Sequence, residues 1–282
     1  MKVACVLLVH KNPGQIARLI GKLSHPGIDC WIHIDKKFDN SDFREQLSAP
    51  NVFFVRDNMQ VDWGCYNTVE AMVVCLRNIA KAKEEYGYVS FLSGQDYLLK
   101  PPNEFINYLR ENNGKEFMSI QRLDASPDYV VRIKKYHFNA YSFPGKKLLQ
   151  RVINKILPDR KFPKSFEVRK GSQWLTISKD ATEYVLAFLD ENPGFGSYFK
   201  LVDTPDEFFF QTILYNSNFR HKIRDGVFHY TDWSEHTKHP KLLTMKDRDA
   251  LWNSYYFFAR KFDVNIDKGI LDVIDSEKLN HT

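Results

Sequence analysis

The fold is read from Val3-Ala4-Cys5-Val6-Leu7-Leu8-Val9-His10, together with the later runs Ile32-His33-Ile34-Asp35 and Leu92-Ser93-Gly94-Gln95-Asp96. The first run is apolar at almost every position, with none of the alternation of a half-exposed strand. It therefore reads as a strand buried on both faces. The run is too short for a secretory leader and has no small-residue cleavage site. Helical spacing follows over 15–23, with Ile16, Leu19, Ile20 and Leu23 on one face. Strands are predicted at 30–34, 51–55 and 88–92, with a long helix over 68–82 and another from Pro101-Pro102 to Leu109. Buried strands alternating with helices predict an α/β fold with a mostly parallel central sheet. Ligands of such sheets bind beyond the carboxyl ends of the strands. His10, Asp35 and Asp96 each sit at such an end.

The second half is less regular. A strand is predicted at 172–177, a helix at 179–189, and further strands at 226–230 and 255–259. No repeat, low-complexity tract or linker interrupts the chain, so a single domain over 1–282 is expected. Its 282 residues are 43% apolar and 27% charged, the composition of a soluble globular protein. No run approaches the roughly 18 apolar residues of a spanning helix. Cys5, Cys30, Cys65 and Cys75 form no CxxC and lie in apolar surroundings, which reads as reduced core thiols in the cytoplasm.

The net charge of +5 is unevenly spread. Residues 130–170 hold twelve Lys or Arg against two acids, a local +10 that leaves the remainder at −5. Inside that segment, 145–157 has helical spacing. Leu148, Leu149, Val152, Ile153, Ile156 and Leu157 share one face, while Lys146, Lys147, Gln150, Arg151, Asn154 and Lys155 share the other. Tyr141, Phe143, Phe162 and Phe166 flank it. Two readings stand: a basic helix lying in a membrane interface, with these aromatics at headgroup level, or a surface helix with its apolar face on the protein's own core.

Thr204-Pro205-Asp206-Glu207 precedes the apolar run Phe208 to Leu214. Thr204 suits an N-cap, Pro205 the first helical position, and Glu207 the third residue of a capping box. The same carboxylate, beside a loop, suits a general base. Glu207 reads as a cap, a base, or both. Other chemistries are absent: the chain has no GxxxxGK[ST], GxGxxG or GxSxG. Asp247-Arg248-Asp249 follows no apolar strand and reads as the exposed first turn of a helix. The histidines form no HxxxH pair, so no metal site is expected.

Six short pieces, in order along the chain, resemble the core-2/I-branching β-1,6-N-acetylglucosaminyltransferase family and its peptide O-xylosyltransferase relatives. They are Val9-His10-Lys11, Ile32-His33-Ile34-Asp35-Lys36-Lys37, Leu92-Ser93-Gly94-Gln95-Asp96-Tyr97-Leu98-Leu99-Lys100, Gly171-Ser172-Gln173-Trp174, Thr204-Pro205-Asp206-Glu207 and Phe258-Ala259-Arg260-Lys261-Phe262-Asp263. The chain resembles a compact bacterial member without the animal enzymes' anchor, stem and disulfides. The resemblance implies a GT-A-like (Rossmann-like) nucleotide-sugar-binding fold, with 1–125 as the nucleotide-binding half and 126–282 as the acceptor-binding and catalytic half. It makes Glu207 the catalytic base. It places His10, Asp35, Trp63 and Asp96 at the nucleotide-sugar, with Trp63 either stacked on uracil or part of the core. Lys261, and Lys241 in place of the usual Arg, would hold the diphosphate without a metal. Trp174 and Trp233 fall on the acceptor side or in the core.

The activity implied is inverting, metal-independent transfer of N-acetylglucosamine from UDP-GlcNAc to a glycan or lipid-linked glycan hydroxyl, in surface polysaccharide synthesis. No cofactor is implied beyond the UDP-sugar donor. The alternatives are a UDP-xylose-dependent transferase and a non-catalytic carbohydrate- or nucleotide-binding module. A nucleic-acid partner is set aside, because the basic segment carries no recognised motif. The expected location is the cytoplasm, with peripheral contact on the inner face of the membrane through 145–157.

Overall fold

The computed structural model describes residues 1–162 and 166–279. The chain divides into two compact units, one built from residues 1–55, 83–113 and 228 onward, the other from 56–82 and 114–227. Each unit draws on both 1–125 and 126–282.

The first unit contains β1 (Val3–Val9), β2 (Ile28–Ile34), β3 (Val52–Phe54), β4 (Tyr88–Ser93) and β5 (Asp96–Leu98). β1 lies between β2 and β4 and pairs with both in parallel, and β3 extends the sheet beyond β2. The sheet order is thus β4-β1-β2-β3, with Cys5 opposite Cys30 on one side and Ser90 on the other. β2 and β4 are buried at every position. That explains why their sequences read as unbroken apolar runs and not as alternating ones. The helix Pro13–Lys22 makes the crossover from β1 to β2 and buries Gln15, Ile16, Leu19 and Ile20. A parallel pair needs such a crossover.

The buried carboxylate of Asp29, inside this sheet, is paired. Asp29 accepts from the Tyr86 hydroxyl at 2.7 Å and meets Lys2 at 2.9 Å. β5 pairs antiparallel with the strand Phe258–Arg260, which pairs in parallel with His229–Thr231. Phe105 from the helix Pro102–Glu111 packs on Phe228, Phe257 and Phe258 at 5.2–5.4 Å.

In the second unit, the strand Glu116–Met118 pairs in parallel with Ile223–Asp225 and antiparallel with Thr176–Ser178. The predicted strand over 172–177 thus begins only at Thr176. Phe162, Phe195, Phe199 and Phe209 form one aromatic cluster with centroids 5.0–5.8 Å apart. Many of the chain's aromatics are therefore core, packed edge to face. Phe162 and Phe166 belong here, with Phe166 5.8 Å from Phe195, and not at a headgroup layer.

All four cysteines are free and buried. Burial, with Asp29 nearby, pushes the Cys30 thiol up to about 12. Asp247-Arg248-Asp249 departs from its reading as an exposed first turn. Asp247 is buried and forms a capping box with Thr244, while Asp249 alone is solvent-facing.

Asp96 has no solvent exposure. It accepts from the Ser93 backbone N–H at 2.8 Å and the Ser93 hydroxyl at 2.6 Å, lies 3.2 Å from His229 Nε2, and pairs with Arg260 Nε at 3.0 Å. Burial opposes its charge, but Arg260, His229 and Ser93 together hold its carboxyl below the usual carboxylate range. Asp96→Ala leaves Arg260 buried without its partner and is expected to cost about 3–5 kcal/mol, measured by urea denaturation. Because the folded-state pKa is depressed, the stabilisation is present above the unfolded value and lost as the pH falls through the folded one. The gap between wild type and variant is therefore expected to be constant above pH 3.8 and to close below it.

Candidate functional site

Each unit carries one cluster of chemically capable side chains. In the first unit, His10 follows β1 directly and Asp35 follows β2. Asp35 is buried, and its carboxylate accepts the Lys37 backbone N–H at 3.0 Å, which fixes the turn beyond the strand. Asp96 is not at the end of β4. A two-residue turn, Gly94-Gln95, returns the chain, so that Asp96 opens β5 and bonds back to Ser93. Its oxygens are committed inside the unit. It shapes the loop 93–96.

That loop borders a cavity of about 450 Å³ lined by Lys11, Gln95, Glu235, His239, Lys261 and Asp263, among others. Gln95 and Phe262 exchange a backbone hydrogen bond of 2.8 Å, which holds the loop against the segment carrying Lys261. Burial, with Arg260 and Lys11 nearby, lowers the Lys261 ammonium to about 8. An anion placed beside it would relieve this repulsion. Lys11 also faces the cavity and pairs with Asp263 at 2.7 Å.

Lys241 and Lys261 are joined by backbone, since Lys261 N–H donates to the Lys241 carbonyl at 3.5 Å. Their side chains diverge. Lys241 Nζ pairs with Asp247 at 2.5 Å and lies 3.7 Å from Asp232, outside the cavity lining. Trp233, in the turn after the strand His229–Thr231, is 53% exposed.

In the second unit, Thr204-Pro205-Asp206-Glu207 does not form the expected capping box. Thr204 takes a positive φ of 47°, and its side chain makes no cap bond. Its hydroxyl donates to the Asp203 carbonyl instead. Pro205–Glu207 is one turn of 3₁₀ helix, and the α-helix Phe209–Tyr215 follows. Freed from capping, the Glu207 carboxylate turns to cations. Its Oε2 accepts from Arg132 at 2.7 Å and lies 3.5 Å from Lys170. Both of these cation contacts are to Oε2. Burial and the neighbouring Glu207 push the Asp206 carboxyl up to about 7, which limits like charge beside Glu207.

Two loops fix the backbone here. The Gly171 N–H donates to the Glu207 carbonyl at 2.7 Å, and the Thr204 N–H to the Gly64 carbonyl at 3.1 Å. The second bond brings the loop of Trp63 to the Glu207 segment. Trp63 is 61% exposed and so is not core. Trp174 is partly buried, just past Gly171 on the other loop. The first unit thus collects His10, Asp35, Asp96, Trp233, Lys241 and Lys261. The second collects Glu207, Trp63 and Trp174. Sequence reading did not assign Arg132, Lys170 or Lys11. The first two were visible only as members of the +10 segment, and Lys11 only as the residue after His10.

The first unit thus carries a parallel sheet with polar residues beyond its strand ends and a lysine-lined cavity, and the second carries an ion-paired, partly exposed carboxylate. The Core-2/I-Branching enzyme model matches residues 3–250, and the chain belongs to that family. Xylosyltransferase oxt of Drosophila pseudoobscura pseudoobscura is 25% identical over 293 residues, covering 91% of this chain and 31% of its own length. A β-1,3-galactosyl-O-glycosyl-glycoprotein β-1,6-N-acetylglucosaminyltransferase 4 of Danio rerio is 27% identical over 193 residues, 65% of this chain and 43% of its own. The human N-acetyllactosaminide β-1,6-N-acetylglucosaminyl-transferase is 25% identical over 297 residues, 93% of this chain and 68% of its own. The chain therefore spans under a third of the fly relative and under half of the fish one.

The loop contact at Gly171 sets a test. A Cβ there falls onto the Ser119 carbonyl oxygen and within 2.9 Å of Gln211 Cγ. Backbone cannot yield as a flexible side chain does, so Gly171→Ala is expected to destabilise by about 1–3 kcal/mol and to shift Glu207 with it. Thermal unfolding reads the first effect. An unchanged melting temperature would show that the loop accommodates the methyl.

Proposed function

We propose that this chain is an inverting, metal-independent glycosyltransferase that moves N-acetylglucosamine from UDP-GlcNAc to a hydroxyl of a glycan acceptor, in surface polysaccharide synthesis. The observation that carries the reading is the setting of Glu207: a partly exposed carboxylate, gripped on one oxygen by Arg132 and Lys170, within the family's Thr-Pro-Asp-Glu motif. A carboxylate held this way is oriented without being consumed. Glu207 removes the proton of the acceptor hydroxyl as its oxygen attacks the anomeric carbon, and UDP departs from the opposite face. One displacement inverts the configuration.

Charge developing on the departing diphosphate is met by Lys261, assisted by Lys11 on the same cavity wall. Lys241 enters this role only by leaving Asp247, so Lys261 is assigned the principal contact. Asp35 and His10 border the nucleotide beyond the strand ends. The exposed Trp233 and Trp63 offer flat faces for a base or a sugar ring. The metal-independent reading is supported by the commitment of Asp96 to Arg260, His229 and Ser93. A second reading, transfer of xylose from UDP-xylose, is favoured by the fly relative's name. A thermal-shift comparison of the two donors separates them, because the one that binds only the folded state raises the apparent stability.

Glu207→Gln keeps the shape and loses the base. It is expected to retain UDP binding and lower turnover by roughly 10²–10⁴-fold. Transfer by this variant at near wild-type rate would remove Glu207 from the mechanism.

Lys261 generates a pH dependence with a definite sign. Its ammonium ionises near 8 in the free protein, and a bound diphosphate favours the charged form. UDP affinity is therefore expected to be flat below pH 8 and to fall above it, by up to about tenfold per pH unit. Lys261→Arg should abolish that fall, Lys261→Ala should weaken binding at every pH, and EDTA should leave transfer intact. Activity lost in EDTA and restored by a divalent cation would overturn the metal-independent mechanism.

A further inference from the structure

The helix Lys146–Ile156 is mounted with its polar side inward. Gln150 accepts the Phe138 backbone N–H at 2.9 Å. Asn154 accepts the Tyr136 N–H at 2.8 Å and donates to the Tyr136 carbonyl at 2.9 Å. These amide side chains, one turn apart, tie the helix to the strip 136–138. The helix buries no residue. Most of its apolar residues face outward: Leu148 is 65% exposed and Ile156 73%, with Leu149 and Val152 also exposed, while Ile153 is half-buried. At 3.6 residues per turn these four positions fall within an arc of about 100°. Tyr141, Phe143 and Leu157 extend the apolar surface at the helix ends. The reading that places the apolar face on the protein's own core is thus overturned.

Burial is the ordinary fate of such a stripe, and scattered exposure needs no explanation, but a contiguous patch does. The charge beside it says what covers it. Lys147, Arg151 and Lys155 lie along one flank of the stripe, all exposed, and the helix contains no acid. A second copy of the same face would bring like charges together. A neutral apolar partner would leave the cations without counter-charge.

We infer that this helix docks the protein on an anionic lipid bilayer, lying in the interface plane with Leu148, Leu149, Val152 and Ile156 among the acyl chains. Lys147, Arg151 and Lys155 reach the phosphate headgroups. The docking site shares its scaffold with the base. Arg132, the partner of Glu207, accepts the Asp203 N–H through its carbonyl, and the His137 N–H donates to the Leu201 carbonyl. On the proposed function, which this last step requires, the acceptor is a glycan hydroxyl presented at a lipid surface.

Co-sedimentation with vesicles tests the docking without reference to activity. The full chain is expected to sediment with phosphatidylglycerol–phosphatidylcholine vesicles at low salt, and far less with phosphatidylcholine alone or at high salt. Lys147→Glu with Arg151→Glu should lower partitioning by about tenfold or more, and Leu148→Glu with Val152→Glu should do the same. Both pairs are exposed, so circular dichroism should show the fold intact. Failure of the wild type to bind anionic vesicles at low salt would overturn the inference. So would binding that neither variant weakens, or a solution dimer that Leu148→Glu with Val152→Glu dissociates while vesicles are ignored. If vesicles bind but no UDP-sugar is turned over, the docking stands and the transferase reading falls.

Discussion

A carboxylate that stays charged when sealed from solvent must be paired, and Asp96 shows how much of the first unit follows from that one requirement. Its oxygens draw in the Ser93 backbone and hydroxyl, His229 and Arg260. The end of β4, the strand His229–Thr231 and the strand Phe258–Arg260 are thereby bound to one anion. The residue after Arg260 is Lys261, so the same anion determines where the cavity's principal cation stands. The pairing is costly to build, since two charges lose their water. Removing either member would cost more than a hydrophobic replacement of the whole group. The charge thus fixes a geometry more than it adds stability.

Glu207 shows the complementary arrangement. It is partly exposed, its cations occupy one oxygen, and its backbone is held by Gly171 on one side and, through Thr204, by Gly64 on the other. Asp206, its immediate neighbour, is buried with one oxygen lacking any hydrogen-bond partner. Adjacent carboxylates on one short 3₁₀ turn therefore have opposite environments. One is partly exposed and charge-paired, the other enclosed and inclined to hold a proton. Such divergence between neighbouring groups limits the charge gathered on one short turn.

The parallel sheet was readable because both faces of β1, β2 and β4 are buried, so apolarity alone marked them. The positions of His10 and Asp35 followed from where those runs stop. The expectation that Glu207 closes a capping box was mistaken. The capping-box pattern is present in the letters, yet Thr204 adopts a left-handed backbone and cannot cap. Its partners Arg132 and Lys170 lie 75 and 37 residues away in sequence, and no local pattern reports such pairings. Lys241 meets Lys261 through the backbone, while its ammonium is engaged by Asp247, a pairing that no local pattern reports. The helix Lys146–Ile156 was recognisable by period, but period does not say which face is inward. Gln150 and Asn154 decided that by finding backbone partners.

The four unpaired thiols are distributed two to a unit, Cys5 and Cys30 in the first, Cys65 and Cys75 in the second. None is exposed to a reagent in the native state, and burial raises the pKa of each. Alkylation must then wait for the surrounding structure to open, so its rate counts openings. Because the two pairs report on separate compact units, peptide-resolved labelling of the unmodified chain would show whether the units breathe together or one yields first. The protein carries its own clocks for that measurement, at positions no probe had to be engineered to reach.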